Sequence, residues 1–273
     1  MSRRKSARVL PRAFLALHLL LVAVPILVMV VWSFTASWPW PSLIPEAFSL
    51  KGYAEVFGGA NGAAVLAQSV GIALATAVLT TAVAALGSRA LARYQFRGKE
   101  LFRFATVLPF LIPTTVFAMG VQVVFLKMGF ARTVGGVILA HSIVALPYAV
   151  TIMADVTAAA GGRLEEAARS LGARPLQNLV HVILPQLAPG ILSSISMSYI
   201  LSFSQYFLTL LIGGGMVKTF ALEMFPYLTG GDRTIASAYG VVFLVVTFAV
   251  FLLVEWALKK FGFRAGQDLF NLQ

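Results

Sequence analysis

The chain has 273 residues, 59% of them hydrophobic and only 11% charged, with a mean hydropathy of +0.87, a composition that excludes an ordinary soluble domain. Its formal charge of +11 would suit nucleic acid, yet the basic residues cluster at the ends of apolar runs, so the charge is read as topological and no nucleic-acid partner is expected. Cysteine is absent, which rules out disulfides and thiolate metal sites.

A helix needs about 20 apolar residues to cross about 30 Å of hydrocarbon. Six windows without Lys, Arg, Asp or Glu meet that requirement: 13–34, 70–88, 104–126, 133–154, 189–212 and 234–254. The first follows "MSRRKSARVLPR" and exceeds the 7 to 15 residues of a secretory signal core, so it is read as an uncleaved first span. Residues 35–65 follow, with "WPWPSLIPEAFSLKGY" and its Trp38, Trp40, Pro39, Pro41 and Pro45; this segment is expected along the outer surface. The second window, rich in Ala, Gly and Thr, suits close helix packing inside a bundle, although Ala is also simply a good helix former. Pro25, Pro109, Pro113 and Pro147 fall inside predicted spans, where each removes a backbone hydrogen bond and favours a kink.

Six spans place both termini on one side. With that side cytoplasmic, only Lys51, Lys127, Arg132, Lys218 and Arg233 lie outside. The other sixteen basic residues lie inside, on the N-terminus, the loop holding Arg89 to Arg103, the loop holding Arg163, Arg169 and Arg174, and the C-terminal Lys259, Lys260 and Arg264. That asymmetry fits the positive-inside rule. The expected fold class is an all-α membrane protein, a single transmembrane domain over residues 1–273. No internal repeat or inverted pair of halves is visible.

Between spans four and five the chain reads "EEAARSLGARPLQNLVHVILPQLAPG". As a helix, Leu164, Ala167, Ala168 and Leu171 share one apolar face, Glu165, Glu166 and Arg169 point elsewhere, and Glu165 can pair with Arg169 at i, i+4. Gly172 is placed to end that helix in the left-handed conformation. Pro175 then opens a second helix with a stripe of Leu176, Leu179, Val180, Ile183 and Leu184, which Pro185 is expected to close. Such a hairpin either lies on the lipid surface or enters a groove in a cytoplasmic partner; a shallow alanine face flanked by acids and bases binds lipid weakly and favours the groove.

The order Glu166, Ala167, Ala168, three residues, Gly172, nine residues, Val182, Ile183, Leu184, Pro185 resembles the EAA loop of permease subunits in binding-protein-dependent ABC importers. The family pattern has Ile where this chain has Val182. "SLKGYAEVF" after the first span, and "SFSQYFLTLLIGGG" followed by "KTFALEMFPYLTGGDRTIASA", are similar to the second permease of spermidine/putrescine, ferric-iron and thiamine systems. The resemblance implies a coupling helix around Glu166, Ala167, Ala168 and Gly172, seated in a cleft of an ATPase within a cytoplasmic loop at about 160–188. Leu184 and Pro185 would set the angle of re-entry into span five. It further implies a second permease subunit as heterodimer partner, two cytoplasmic ABC ATPase subunits that hold ATP and magnesium, and an extracytoplasmic substrate-binding protein. The setting would be the bacterial inner membrane, and polyamine is the first substrate expected.

The chain itself has no G-x-x-x-x-G-K-[ST] phosphate loop, so no cofactor, catalytic residue or metal is assigned to it. His18, His141 and His181 are dispersed, without metal-site spacing, and are read as structural. The spans contain no Lys, Arg, Asp or Glu to carry proton or sodium coupling; Glu255 lies at the end of span six beside Lys259. This weighs against the alternative of a secondary transporter. Among the polar residues placed within spans, Ser204, Gln205 and Tyr206 either line a substrate passage or hydrogen-bond neighbouring helices.

Overall fold

The structure, a computed structural model, describes residues 3–39, 41–58 and 61–260; Trp40 and Arg264 lie outside the described residues. In chain order the elements are α1 (Arg3–Ser33), β1 (Thr35–Ser37), β2 (Ala47–Phe48), α2 (Lys51–Gly58), α3 (Gly62–Arg93), α4 (Lys99–Leu111) and α5 (Thr114–Met128). They continue with α6 (Val134–Ala160), α7 (Arg163–Ser170), α8 (Pro175–Asn178), a π-helical turn Leu179–Ile183, α9 (Leu184–Phe203), α10 (Phe207–Gly213), α11 (Phe220–Gly230) and α12 (Arg233–Lys260). Among the described residues, five helical stretches are long and apolar enough to span a bilayer: Phe14–Ser33, Gly62–Arg93, Val134–Ala160, Pro175–Phe203 and Arg233–Lys260; the α4–α5 pair makes a sixth if counted as one span. The all-α membrane class therefore holds, with one small antiparallel ribbon pairing Thr35 with Phe48 in the segment after α1.

Two of the six windows are not the continuous helices expected. The third is bent by 108° between Pro109 and Thr114. Pro113 disfavours a helical conformation at the residue before it, and Ile112 is extended at φ −99°, ψ 129°. The fifth begins earlier than residue 189 and stops at Phe203, leaving Ser204, Gln205 and Tyr206 at a break before α10. There the Ser204 hydroxyl turns back onto the Leu201 carbonyl at 3.1 Å, an interaction that competes with helix continuation.

The chain divides into two compact units, one of Met1–Ala63 with Met224–Val246 and one of Ala64–Glu223 with Thr247–Gln273. In the first, α2 seats on α12. A Cβ at Gly52 would stand 2.8 Å from the Ala238 Cβ and 3.0 Å from the Thr234 carbonyl oxygen, so only glycine permits this approach. Polar contacts finish the junction. The Ser33 and Tyr53 hydroxyls are 2.8 Å apart, the Arg233 guanidinium lies over the Trp32 ring, and the Tyr227 hydroxyl donates to Glu55 at 2.9 Å. Gly52→Leu is expected to lower the unfolding free energy by about 1–3 kcal/mol through overpacking, read as a lower thermal midpoint of the solubilised protein, whereas Lys51→Ala, on an exposed side chain, leaves it unchanged.

The second unit is organised around α6 and α9. One apolar cluster joins Ala84 of α3 to Ala149, Val150 and Met153 of α6 and to Ile183 and Leu187 at the start of α9. Another joins Ile72, Phe125, Val137, Ala140, Leu208 and Ile212 across α3, α5, α6 and α10. Hydroxyls add ties where small side chains let helices meet, Thr81 of α3 to Ser194 of α9 at 3.0 Å and the Ser69 oxygen of α3 accepting from the Phe220 N–H at the start of α11 at 2.7 Å. His141 of α6, read from the sequence as structural, is 2% exposed and bridges Ser202 at 2.8 Å and Thr209 at 3.0 Å.

Candidate functional site: the loop between α6 and α9

α6 ends at Gly161 and α7 starts at once, with Glu165 and Glu166 in its first turn and Arg169 in its last, the arrangement that complements the helix dipole. The closure of α7 is a complete Schellman motif. Gly172 donates to the Arg169 carbonyl and Ala173 to the Ala168 carbonyl, both at 3.0 Å, and Gly172 sits at φ +84° as its position required.

The outward and inward faces of α7 are unequal. Leu164 is 62% and Leu171 88% exposed, Glu166 and Ala167 are exposed and Ala168 half-buried, so most of the apolar face of this helix is left uncovered by the described residues. The buried residue is Glu165. Its carboxylate accepts from Arg169 at 2.8 Å and from Arg89 at 3.2 Å, with the Arg93 guanidinium 3.7 Å away. Arg93 also donates to the Gly161 carbonyl at the end of α6. The predicted Glu165–Arg169 pair is present, then, but as one part of a cluster that fastens α7 to the end of α3. Arg89 and Arg93, spaced i, i+4, and a second acid beside Glu166 were the signals for it in the sequence. By contrast, the carboxylate of Glu166 has no ion-pair partner among the described residues.

The second arm departs from expectation at Pro185. Instead of closing a short helix, Pro185 lies in the first turn of α9, and the chain runs as helix from Pro175 to Phe203. Lacking an N–H and crowding the carbonyl four residues back, proline forces the preceding turn to widen; the Leu184 N–H reaches five residues back to Leu179, which is the π-helical turn. Ile183 is buried in the α3–α6–α9 cluster and Leu184 half-buried, while Leu176, Leu179 and Val180 remain exposed. Both arms of the loop thus present apolar side chains outward and hold to the unit by a few inward groups. Ser204, Gln205 and Tyr206 belong to a different part of the unit, the α9–α10 break: Ser204 is exposed, Gln205 half-buried, and Tyr206 packs edge-on against Phe207.

Residues 82–262, which include this loop, match the family described as the binding-protein-dependent transport system inner membrane component. The chain belongs to that family. The permease is 26% identical over 256 residues to the spermidine/putrescine transport system permease protein PotC of Haemophilus influenzae, covering 92% of this chain and 97% of that one. It is also 28% identical to the probable sulfate transport system permease protein cysT of Nephroselmis olivacea, covering 70% and 72%, and 28% identical to the trehalose transport system permease protein SugB of Mycobacterium tuberculosis, covering 78% and 79%. Its fold matches a chain of a bacterial ABC transporter involved in import of the acidic polysaccharide alginate, with a TM-score of 0.72 at 16% identity over 93% of this permease and 97% of that chain. The permease is accordingly a multi-pass inner membrane subunit of an ABC importer, without catalytic chemistry of its own, and ATP hydrolysis belongs to a separate subunit.

Proposed function

We propose that this permease couples substrate passage to ATP hydrolysis through residues 160–188, with α7 seated in a cleft of a cytoplasmic ABC ATPase. The observation that carries the reading is the outward stripe of Leu164, Ala167 and Leu171 beside Glu166, which has no ion-pair partner among the described residues, on a helix whose other face is held by Glu165. Ala167 and Ala168 keep the surface shallow enough for close seating, Glu166 meets a basic group of the ATPase, and Gly172 turns the chain into the second arm. Leu184 and Pro185 set the angle at which that arm continues into α9. In this reading the termini and the loop are cytoplasmic, and the whole chain acts as one transmembrane domain. A second permease completes the pathway, two ATPases bind ATP and magnesium, and an extracytoplasmic binding protein delivers the substrate. ATP-driven closure of the ATPases rocks the spans between inward- and outward-facing states.

Ala167→Trp and Glu166→Lys, each introduced into the co-expressed importer, are expected to strip the ATPase from the affinity-purified complex and abolish uptake, with the permease still in the membrane fraction. Full retention of the ATPase by both variants would refute the docking assignment. Polyamine is the substrate class favoured, because similarity to the spermidine/putrescine permease runs over nearly the full length of both chains. Ser204, Gln205 and Tyr206, at a helix break, are placed along its path. Calorimetric titration of the cognate binding protein with spermidine and putrescine tests the substrate; saturable binding of another solute and none of these would replace it.

A further inference from the structure

The two arms of the loop are attached to the second unit by different physics. Ile183 of the second arm is packed in an apolar cluster with Ala84, Met153 and Leu187, and α9 grows directly out of it. Such close packing transmits a displacement as a block. The first arm has no comparable packing. α7 is held through Glu165, whose side chain is only 10% exposed and lies among Arg89, Arg93 and Arg169. Two of those arginines belong to α3, which is neither of the helices covalently joined to the loop. Next to Arg89 along α3, the Ser88 hydroxyl lies 3.4 Å from that of Thr157 in α6, so the end of α3 meets α6 close to where the loop begins. The Arg93 bond to the Gly161 carbonyl spans the same junction.

From this geometry we infer that Glu165 is an ionic latch and a positioning residue: it makes α3 a third helix driven by the coupling loop, alongside α6 and α9. When the ATPase shifts α7, the carboxylate transmits that shift to Arg89 and Arg93 and the inner end of α3 moves with the loop. A charge cluster suits this task because it holds orientation at partial exposure and can re-form after displacement, whereas a packed contact at the same place would fuse α7 to the bundle. Glu165 faces away from the exposed stripe and takes no part in docking itself. The inference rests on the coupling role proposed above for the loop.

The test uses the complete importer in proteoliposomes. Glu165→Gln, which keeps shape and removes charge, is expected to retain the ATPase in the purified complex while uptake per ATP hydrolysed falls about five-fold, within the range by which mutations along a coupling route act. Arg89→Cys/Glu165→Cys, in a chain that has no other cysteine and with partner subunits made cysteine-free, should show the same loss as free thiols and recover when a short bis-maleimide bridges the pair. Recovery is a result that a merely structural role for Glu165 does not produce. If Glu165→Gln keeps the wild-type ratio, or bridging leaves the ratio low, the latch is refuted and docking stands. If the ATPase is already absent from the wild-type complex, the docking reading falls and the latch falls with it.

Discussion

Gly172→Val is expected to abolish uptake while Gly172→Asn retains a substantial part of it. Nothing lies within 4 Å of a Cβ built at Gly172, so crowding plays no part; the cost is conformational, because the residue stands at φ +84°. A left-handed conformation costs an ordinary L-residue roughly 1–2 kcal/mol and a β-branched one more, while asparagine tolerates it. Valine avoids that cost only by abandoning the Schellman closure, which frees the Arg169 and Ala168 carbonyls and swings the second arm away from α7. The outward stripes of the two arms then no longer form one surface, and the ATPase cannot grip both. The loss should exceed tenfold, the factor that about 1.4 kcal/mol produces in an equilibrium. Uptake and co-purified ATPase are measured on membranes with equal amounts of each variant; wild-type uptake by Gly172→Val would show that the turn is dispensable to coupling.

What was legible beforehand follows from the kind of signal each feature leaves. Long charge-free windows report spans because the bilayer tolerates little else, and α1, α3, α6 and α12 all contain the windows expected or most of them. Gly172 was legible because a left-handed helix end restricts residue type so strongly. The interruptions were harder. Pro113 and Pro185 are similar in sequence context, each following an apolar residue, yet one breaks a helix by 108° and the other is absorbed by a widened turn. Which happens depends on whether neighbouring helices can hold the chain on course, and only the fold decides that. Ser204 lies in an apolar run without any breaker, and the helix break there, at which its hydroxyl bonds the Leu201 carbonyl, is one that periodicity cannot register. Glu165 was legible only in part: its pairing with Arg169 follows from the i, i+4 spacing, and the structure adds Arg89 and Arg93. The helical wheel separates apolar from charged faces, but it is blind to which face meets the rest of the protein, and here the charged side does because Arg89 and Arg93 wait for it across a long sequence interval.

His141, read from the sequence as structural, is a bridging residue of the core, and its replacement separates two contributions that usually travel together. Thr209 donates its hydroxyl proton to the Gln205 carbonyl at 2.7 Å, so the imidazole must be the donor at Nε2, while Nδ1 meets Ser202. Each of these bonds between helices is worth little on average in a membrane protein, about 0.6 kcal/mol, because the separated helices also find polar partners. His141→Leu fills much of the same space and is expected to cost only about 1 kcal/mol, with Ser202 turning to its own helix backbone. His141→Ala removes the ring as well, and a buried cavity between α6, α9 and α10 should raise the cost to about 2–4 kcal/mol. Thermal unfolding of the detergent-solubilised permease distinguishes the two: a much lower midpoint for the alanine variant than for the leucine variant assigns the role of His141 to packing. Equal losses would assign it to the hydrogen bonds. Because Thr209 and Ser202 flank the α9–α10 break, a leucine variant that folds normally yet transports poorly would locate the bridge's importance in the geometry of Ser204, Gln205 and Tyr206 and not in stability.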